Sequence, residues 1–436
     1  MNNSNDFQKA VSARHYLGRI NPVLVIWFCL LFATISAAQT DFTRRQYEED
    51  FDYLWQSIAD DYAYLDQKQT DWKKVKDIYR PGLNAVRTRG EFVGLLESML
   101  EELYDSHTHL NTNTPSSPRL VPSGADIWAE WINGRILITE VRPESRADRA
   151  GIRIGMQLVS INGVAVDEAV NRRVGKSLRT IDKVAREWAL RTLLAGRRNE
   201  KRSIEVISKG KRLLVPIDDQ PSAESPATTN LLESRRIEKH FGYIRINNSL
   251  GDNELIRQFD LALAAFRNTR GLVLDLRDTP SGGNTTVARG IMGRFIHRDM
   301  PYQKHSIPAE ERRYATRRSW IELVSPRGEF TYRAPIVVLV NHWTGSMGEG
   351  IAIGMDGMRR ATIVGTEMAR LLGATSGIRL PNTGIGATFP TEKLFHVNGT
   401  PRENFVPPVS INLLLPGNQD GDAILNQGLK VLKTKR

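Results

Sequence analysis

Cysteine is almost absent from this chain of 436 residues, because Cys29 is the only one. It lies in an apolar run near the N-terminus, so a mature chain without that run has no thiol and no disulfide. This excludes cysteine catalysis and cysteine–zinc sites from the mature protein. A chain of this length does not need disulfides, because its apolar core is large enough to stabilise it.

Long hydrophobic runs are also scarce. The longest extends from Pro22 to Ile35, and its 14 residues fall short of the ~20 that a membrane-spanning helix needs. Lys9, Arg14 and Arg19 precede this run and the small residues 36–38 follow it, as in a secretory signal. We predict cleavage after Ala38 and an exported mature chain, periplasmic or extracellular. An uncleaved N-terminal anchor is the alternative.

The charge is strongly positive, at +11, but no basic stripe interleaved with aromatic residues is present. Basic pairs such as Arg312-Arg313 and Arg359-Arg360 are dispersed over separate segments. Nucleic-acid binding is therefore not expected. The excess charge is consistent with solvated basic faces and with peripheral attraction to an anionic membrane or envelope surface.

Composition and periodicity divide the chain into four parts. The signal segment is 1–38, followed by a helical domain at 39–118, in which Tyr47, Phe51 and Leu54 recur at helical spacing. A β-rich domain follows at 119–218. An α/β core occupies 219–436, because buried strands such as 272–276 and 336–340 alternate with helical segments.

Within the β-rich part, residues 150–163 resemble the most recognisable stretch of a PDZ domain. A glycine-led turn at Gly151 feeds a strand, and Asn162-Gly163 closes a hairpin. The resemblance implies a module that binds a peptide as an added strand. An unrelated small β-domain is the alternative.

The strongest chemical signal is the segment from Val337 to Glu349. A buried strand ends, small residues form a tight turn, and a helix begins at Ser346. Such a turn exposes the serine hydroxyl and directs the free N–H groups of the first helical turn, beginning with Met347, at the space beside it. Alternatively, Ser346 is only a helix N-cap.

A second signal is the segment Asp275 to Asn284, in which a buried strand runs into the turn of Gly282 and Gly283. Glycines there permit close approach of the backbone to a ligand, and their N–H groups are candidate oxyanion donors. This turn has neither the dinucleotide fingerprint nor a phosphate-loop lysine.

The third signal is Ser106-His107-Thr108-His109, which supplies a base for a serine nucleophile. Two histidines at this spacing also suggest metal ligation, but no third ligand stands at a supporting distance, so neither a metal nor a cofactor is predicted.

These three segments, in this order, resemble the C-terminal-processing and tricorn-type family of serine peptidases over roughly residues 45 to 415. The resemblance implies a crotonase-like α/β core with an N-terminal helical segment and an inserted PDZ-like domain. It assigns the nucleophile to Ser346. It also implies oxyanion donation by Met347 with Gly282 or Gly283.

Two branches of this family differ in their base. One uses a lysine about two dozen residues after the serine, but here that region has Arg370 and the next lysine is Lys393. The tricorn-like branch uses a histidine in a Ser-His-Thr sequence. The resemblance therefore implies His107 as base, oriented by Ser106.

A late glutamate completes the relay of the tricorn-like branch and falls on Glu403. The departures from the family pattern are Pro407-Pro408 and the longer glycine turn, and His109 is the competing base. The resemblance implies an endopeptidase of protein or peptide substrates, in an oligomeric state that the sequence leaves undetermined. The alternative is a non-catalytic protein of the same fold that binds peptides or hydrophobic ligands.

Overall fold

The computed structural model describes residues 42–220, 230–418 and 421–435. The predicted signal segment 1–38, with its cleavage point and Cys29, lies outside these ranges. Residues 221–229, near the start of the predicted α/β core, also lie outside them. Among the described helices, none is both long enough and apolar enough to cross a bilayer.

Three helices open the described chain: α1 (Arg44–Asp61), α2 (Trp72–Tyr79) and α3 (Arg89–Glu101). Thr43 and Thr88 cap α1 and α3 with capping boxes, in which the threonine and the third helical residue satisfy each other's backbone N–H groups. The apolar faces of these helices pack together in one core. The predicted helices over these residues are confirmed.

The β-rich part forms a six-stranded sheet in the order β2–β3–β4–β6–β7, with β5 paired to β4. Asn162 and Gly163 both have positive φ, so the predicted two-residue hairpin turn between β4 and β5 is confirmed. The first seven strands are β1 (His109–Leu110), β2 (Ile127–Ile132), β3 (Arg135–Val141), β4 (Gln157–Ile161), β5 (Val164–Ala165), β6 (Ser203–Ser208) and β7 (Lys211–Pro216). The helices between them are α4 (Arg146–Arg149), α5 (Val166–Arg173) and α6 (Lys183–Ala195).

The remaining chain alternates strands and helices, as predicted for an α/β core. Its strands are β8 (Leu232–Ile237), β9 (Phe241–Ile246), β10 (Gly271–Asp275), β11 (Met300–Ser306), β12 (Ser319–Val324), β13 (Ile336–Val340), β14 (Thr362–Gly365), β15 (Ala374–Arg379), β16 (Gly386–Phe395) and β17 (Val409–Ser410). Its helices are α7 (Glu254–Ala265), α8 (Thr285–Met292), α9 (Pro308–Tyr314), α10 (Met347–Gly357) and α11 (Ala423–Thr434).

The central sheet of this core has the order β17–β14–β13–β10–β9–β8 and is parallel except for the edge strand β8. Strands β10 and β13 are buried throughout, because helices cover both faces of the sheet. Their register pairs Asp275 with Leu339. The turns that follow the two strands, one with the glycines and one with Ser346, therefore lie side by side.

A third sheet, in the order β1–β16–β11–β12 with β15 paired to β16, was not predicted. Strand β1 pairs His109 with Thr388 of β16, so the segment that follows the N-terminal helices is tied to the last third of the chain. This pairing brings the His107 segment toward the C-terminal part of the chain. The mixed α/β class is confirmed, whereas the crotonase-like and PDZ-like assignments and the domain boundaries stay predictions.

Candidate active site

Ser346 occupies the turn between β13 and α10 and has an unusual backbone conformation. Its φ is 50° and its ψ is −110°, in a region that residues other than glycine seldom adopt. The Ser346 N–H donates to Glu349 Oε2 at 2.8 Å, which holds the strained residue at the helix start. Strain of this kind concentrates at functional sites, so the conformation favours a role beyond helix capping.

Gly282 lies directly against this serine. A Cβ atom added to Gly282 would stand 2.4 Å from Ser346 Cβ and 2.9 Å from Ser346 Oγ. A Cβ added to Gly283 would instead collide with the backbone of Leu250, at 2.1 Å. The structure thus places Gly282, rather than Gly283, in contact with the Ser346 turn.

Two amides near Ser346 differ in their present bonding. The Gly282 N–H donates to Thr279 O at 3.1 Å within its own turn. Met347 begins α10, and the first N–H groups of a helix have no acceptor within that helix. The Met347 N–H is therefore the more available donor for an oxyanion.

His107 lies in the loop between α3 and β1, and its ring is held by a backbone carbonyl. Its Nδ1 is 2.6 Å from Leu372 O. Because a carbonyl only accepts hydrogen bonds, Nδ1 carries the proton and Nε2 keeps a free lone pair. That tautomer is the one a general base needs.

Asp105 orients the backbone of the same loop. Its carboxylate accepts hydrogen bonds from the His107 N–H at 2.9 Å, from Thr108 Oγ1 at 2.7 Å and from the Tyr62 hydroxyl at 3.0 Å. Burial, reinforced by the nearby Arg402 guanidinium, lowers the pKa of His107 to about 4. The imidazole is therefore neutral at physiological pH, as a base must be.

His109 is placed differently. It is the first residue of β1, and its Nδ1 lies 3.1 Å from Leu110 O. With Ser106, it lines a small cavity of about 60 Å³ under α3 and α6, and Ser346 is not among the residues of that cavity. This geometry favours His107 as base.

Residues 369–373, called here the bridging segment, connect the serine to the histidine. Glu349 accepts the Arg370 N–H at 2.9 Å and the Leu371 N–H at 3.3 Å as well as the Ser346 N–H. His107 binds the carbonyl of Leu372 in the same segment. Within the described ranges no hydrogen bond joins the Ser346 hydroxyl to the His107 ring, so the two are linked through this segment.

Glu403 lies in the short 3₁₀ helix Arg402–Asn404. Burial raises the pKa of its carboxyl, and within the described residues its Oε2 is buried without a hydrogen-bond partner. Burial, reinforced by this carboxyl, also raises the pKa of the Tyr64 phenol. No hydrogen bond of the described chain joins Glu403 to Ser106, and the relay through these two residues stays a prediction.

Glu349, Arg402 and Asp105 belong to the site but were not predicted. Glu349 had a usable signal, because a glutamate three residues after a serine at a helix start is the spacing of a capping box. Burial raises the pKa of Glu349 to about 7. Among the described residues, no group of three metal-ligating side chains comes together.

Comparison with known proteins identifies two parts of the chain. Residues 240–408 match the model of peptidase family S41, and residues 43–101 match the tricorn protease C1 domain. Tricorn protease homolog 1 of Streptomyces coelicolor is 24% identical over 364 residues, which make up 77% of this chain and 30% of that protein.

Two further proteins are similar over most of this chain. The carboxyl-terminal-processing protease of a Synechocystis species is 25% identical over 326 residues, covering 70% of this chain and 67% of that protein. The crystal structure of mature CPAF has a TM-score of 0.61 at 15% identity, covering 89% and 97% of the two chains. The last similarity shows a shared fold.

The segment matched to family S41 contains the Gly282 turn, Ser346 and Glu403, and the segment matched to the tricorn C1 domain contains the helices that lead to His107. The two matches follow one another in the order that the resemblance implied. The prediction of a serine-type peptidase is confirmed at the level of the family. Two segments of this chain thus match peptidase family S41 and the tricorn protease C1 domain, and the predicted resemblance to the C-terminal-processing and tricorn-type serine peptidases is confirmed.

Proposed function

We propose that this protein is an exported serine endopeptidase that hydrolyses protein or peptide substrates with Ser346 as nucleophile. The observation that carries the proposal is the pairing of a strained serine turn with a neutral histidine whose Nδ1 is fixed on Leu372 O. Relatives named for tricorn and carboxyl-terminal-processing proteases support the same chemistry. This chain spans 30% of the length of the tricorn protease homolog and 67% of the length of the carboxyl-terminal-processing protease.

The proposed reaction begins when His107 Nε2 takes the Ser346 proton as the hydroxyl oxygen attacks a peptide carbonyl. The Met347 N–H, with an amide of the Gly282–Gly283 turn, stabilises the oxyanion. His107 then gives the proton to the leaving amine, and water hydrolyses the acyl-enzyme. Closure of the serine–histidine hydrogen bond on substrate binding is part of the proposal, because such bonds are often long without substrate.

Leu372 O is proposed as the group that fixes the imidazole tautomer and stabilises the imidazolium. Ser106 and Glu403 are the predicted relay that also orients the imidazole and stabilises its charged form. The buried Oε2 of Glu403 has no partner in the described chain, so the carboxyl is free to receive a hydrogen bond after a small rearrangement. The crotonase-like core, the PDZ-like nature of residues 119–218 and a periplasmic or extracellular location belong to the same proposal.

A fluorophosphonate probe tests the nucleophile directly, because it reacts with activated serines. We expect labelling of the wild type at Ser346, no labelling of Ser346→Ala, and normal labelling of the control Ser376→Ala. Ser376 is exposed on β15, and its hydroxyl hydrogen-bonds to the Thr391 hydroxyl at 2.8 Å. Labelling that survives in Ser346→Ala would refute the proposed nucleophile.

The base is tested with His107→Ala and His109→Ala in a casein-cleavage assay. Loss of a triad member typically removes a factor of about 10³ or more, so His107→Ala should be inactive while it stays folded. His109→Ala should retain most of the activity. The reverse result would make His109 the base, and activity in neither the wild type nor any variant would favour the non-catalytic binding protein.

A further inference from the structure

Arg402 is a buried arginine in the candidate site with an unusual set of partners. Its Nη2 donates to Leu371 O at 2.9 Å and to Gly373 O at 2.8 Å, and its Nη1 donates to Ser346 O at 3.3 Å. Its nearest carboxylate oxygen, on Glu349, is 3.9 Å away. The residue is 2% exposed.

Burying a guanidinium is costly unless close carboxylates compensate its charge. Arg202, elsewhere in this chain, shows the compensated arrangement, because Asp126 and Asp218 contact it at 2.7 and 2.8 Å. Arg402 instead has three carbonyl partners and a more distant carboxylate. A purely structural role explains such an arrangement poorly, since an apolar side chain of similar volume would fill the space at lower cost.

The identity of the three carbonyls indicates what the charge does. One belongs to Ser346 itself. The other two belong to Leu371 and Gly373, the residues on either side of Leu372, whose carbonyl binds the His107 ring. A single rigid guanidinium thus contacts both the nucleophile's own residue and the peptide units that hold the base.

We propose that Arg402 is a positioning residue for the reaction, which sets the placement of the His107 imidazole relative to Ser346 by tying the bridging segment to the serine turn. This inference rests on the proposed function. Small displacements of reacting groups cost large factors in rate, with about 100-fold for a shift of 1 Å. The planar fork of arginine suits three fixed acceptors better than a lysine ammonium does.

The charge of Arg402 also affects the pKa of His107, which can be measured from the pH–rate profile. The groups that face the His107 ring are Arg402, Asp105, His109 and Leu372 O, and Arg402 is the cation whose charge opposes protonation of the ring most. Removing that charge raises the pKa of His107. The acid limb of the pH–rate profile then moves to higher pH, which a loss of packing alone would not produce.

The test measures the fluorophosphonate labelling rate from pH 4 to 9 in full-length wild type, Arg402→Lys and Arg402→Met. We expect labelling at neutral pH to fall by about 10- to 100-fold in both variants. The acid limb should keep its position in the lysine variant and move up in the methionine variant. Circular dichroism confirms that each protein is folded.

Arg360 offers a matched control, because it also bonds three carbonyls, of Phe295, Tyr332 and Ala334, away from the site. Arg360→Met should lower thermal stability without changing the labelling rate of the folded protein. If Arg402→Lys labels as fast as the wild type, or if both Arg402 variants lose activity only in proportion to unfolded protein, the inference is wrong. If the methionine variant does not fold, the lysine variant decides.

Failure of the underlying function gives a different result. In that case Ser346→Ala is labelled as the wild type is, whatever Arg402 does. If Ser346→Ala abolishes labelling while the Arg402 variants behave like Arg360→Met, the peptidase assignment stands and only the positioning role is refuted.

Discussion

Glu140 of β3 and His342 of the serine turn are joined at 2.7 Å between Oε2 and Nδ1. The other oxygen of Glu140 accepts from Asn341 Nδ2, also at 2.7 Å. The His342 ring stacks on Trp128 of β2 at a centroid distance of 4.5 Å. The six-stranded sheet of the β-rich part therefore supports the turn that carries Ser346, through side chains that are all buried.

This contact predicts that Glu140→Ala destabilises the protein and slows labelling of Ser346. Removing the carboxylate leaves two buried donors unpaired, at a cost of about 2–4 kcal/mol in the free energy of unfolding. Glu140→Gln keeps one acceptor oxygen and should lose about half as much. Urea unfolding measures the difference, and exposed Glu233→Ala is the control that should change nothing. An unfolding free energy of Glu140→Ala equal to that of the control would contradict the coupling.

A second prediction concerns Gly282. In Gly282→Ala the new methyl would lie within 3 Å of both side-chain atoms of Ser346, and φ at this position is +64°. We expect at least a 100-fold loss of labelling rate, because the serine hydroxyl must move. Gly94→Ala is the control: at this half-buried position of α3 an added Cβ would meet nothing within 4 Å, and the change should stabilise by about 0.5–1 kcal/mol. Normal labelling of Gly282→Ala would show that Ser346 tolerates displacement.

The pH dependence follows from the pKa of His107, which lies near 4 because of burial and the Arg402 charge. The ring must be neutral to act as base, so the rate should stay high at neutral pH and fall to half near pH 4. Titration of Glu349, whose pKa is near 7, would add a second inflection to the pH–rate profile near neutral pH. The variant Glu349→Gln removes that inflection and leaves the acid limb of the profile in place. An acid limb near pH 6.5, the ordinary value for histidine, would mean that the base is another histidine.

The depressed pKa of His107 also affects stability. Between about pH 4 and 6.5 the unfolded chain binds a proton at this position that the folded chain does not, so this residue's contribution to stability declines as the pH falls through that window. Comparing urea midpoints of the wild type and His107→Ala from pH 4 to 8 isolates the effect. The difference between them should be smallest at the acid end.

His305 contributes to stability with the opposite pH dependence to His107. It is buried on β11 between Glu392 at 2.7 Å and Glu322 at 3.1 Å, and these carboxylates raise its pKa against the effect of burial. Stability from this trio is therefore complete below pH 6.5 and declines as the pH rises through the folded pKa. His305→Gln should cost about 1–3 kcal/mol at pH 6 and less at pH 9. A cost independent of pH would mean that the ring stays neutral.

The last prediction concerns the N-terminal segment, which lies outside the described residues. If residues 1–38 are a cleaved signal, the protein recovered from the cell envelope or medium begins at Gln39, and intact-mass spectrometry measures this. The variant Ala38→Pro should block processing. A full-length exported chain would favour the anchor instead.

The sequence predicted the parts of this structure that depend on local pattern. The apolar stripe from Tyr47 to Ile58 predicts a helix, and the apolar runs of β10 and β13 predict buried strands. Both patterns are local in sequence, so these helices, strands and the serine turn could be predicted. The sheet of β11, β12 and β16 was missed, because its strands lie far apart in sequence and β12 alternates exposed apolar residues such as Ile321 and Leu323 with half-buried ones. Its pairing is a tertiary property.

The residues of the candidate site also divide into those that a local motif predicts and those that depend on tertiary contacts. Ser346, His107 and the glycine turn were recognised from short motifs, whereas Arg402 has no local pattern, because its role depends on three carbonyls from two distant segments. Ser106 and Glu403 were assigned by resemblance, and the described contacts do not join them.

The acceptor for the His107 ring is a main-chain oxygen, so this contact constrains the evolution of residue 372 differently from a side-chain contact. A carbonyl is present whatever side chain residue 372 carries, so substitution there leaves the contact intact, while a single inserted or deleted residue between Ala369 and Gly373 removes it. Selection therefore acts on the length and the backbone course of the bridging segment. Sequence comparisons that score only amino-acid identity will not detect this constraint.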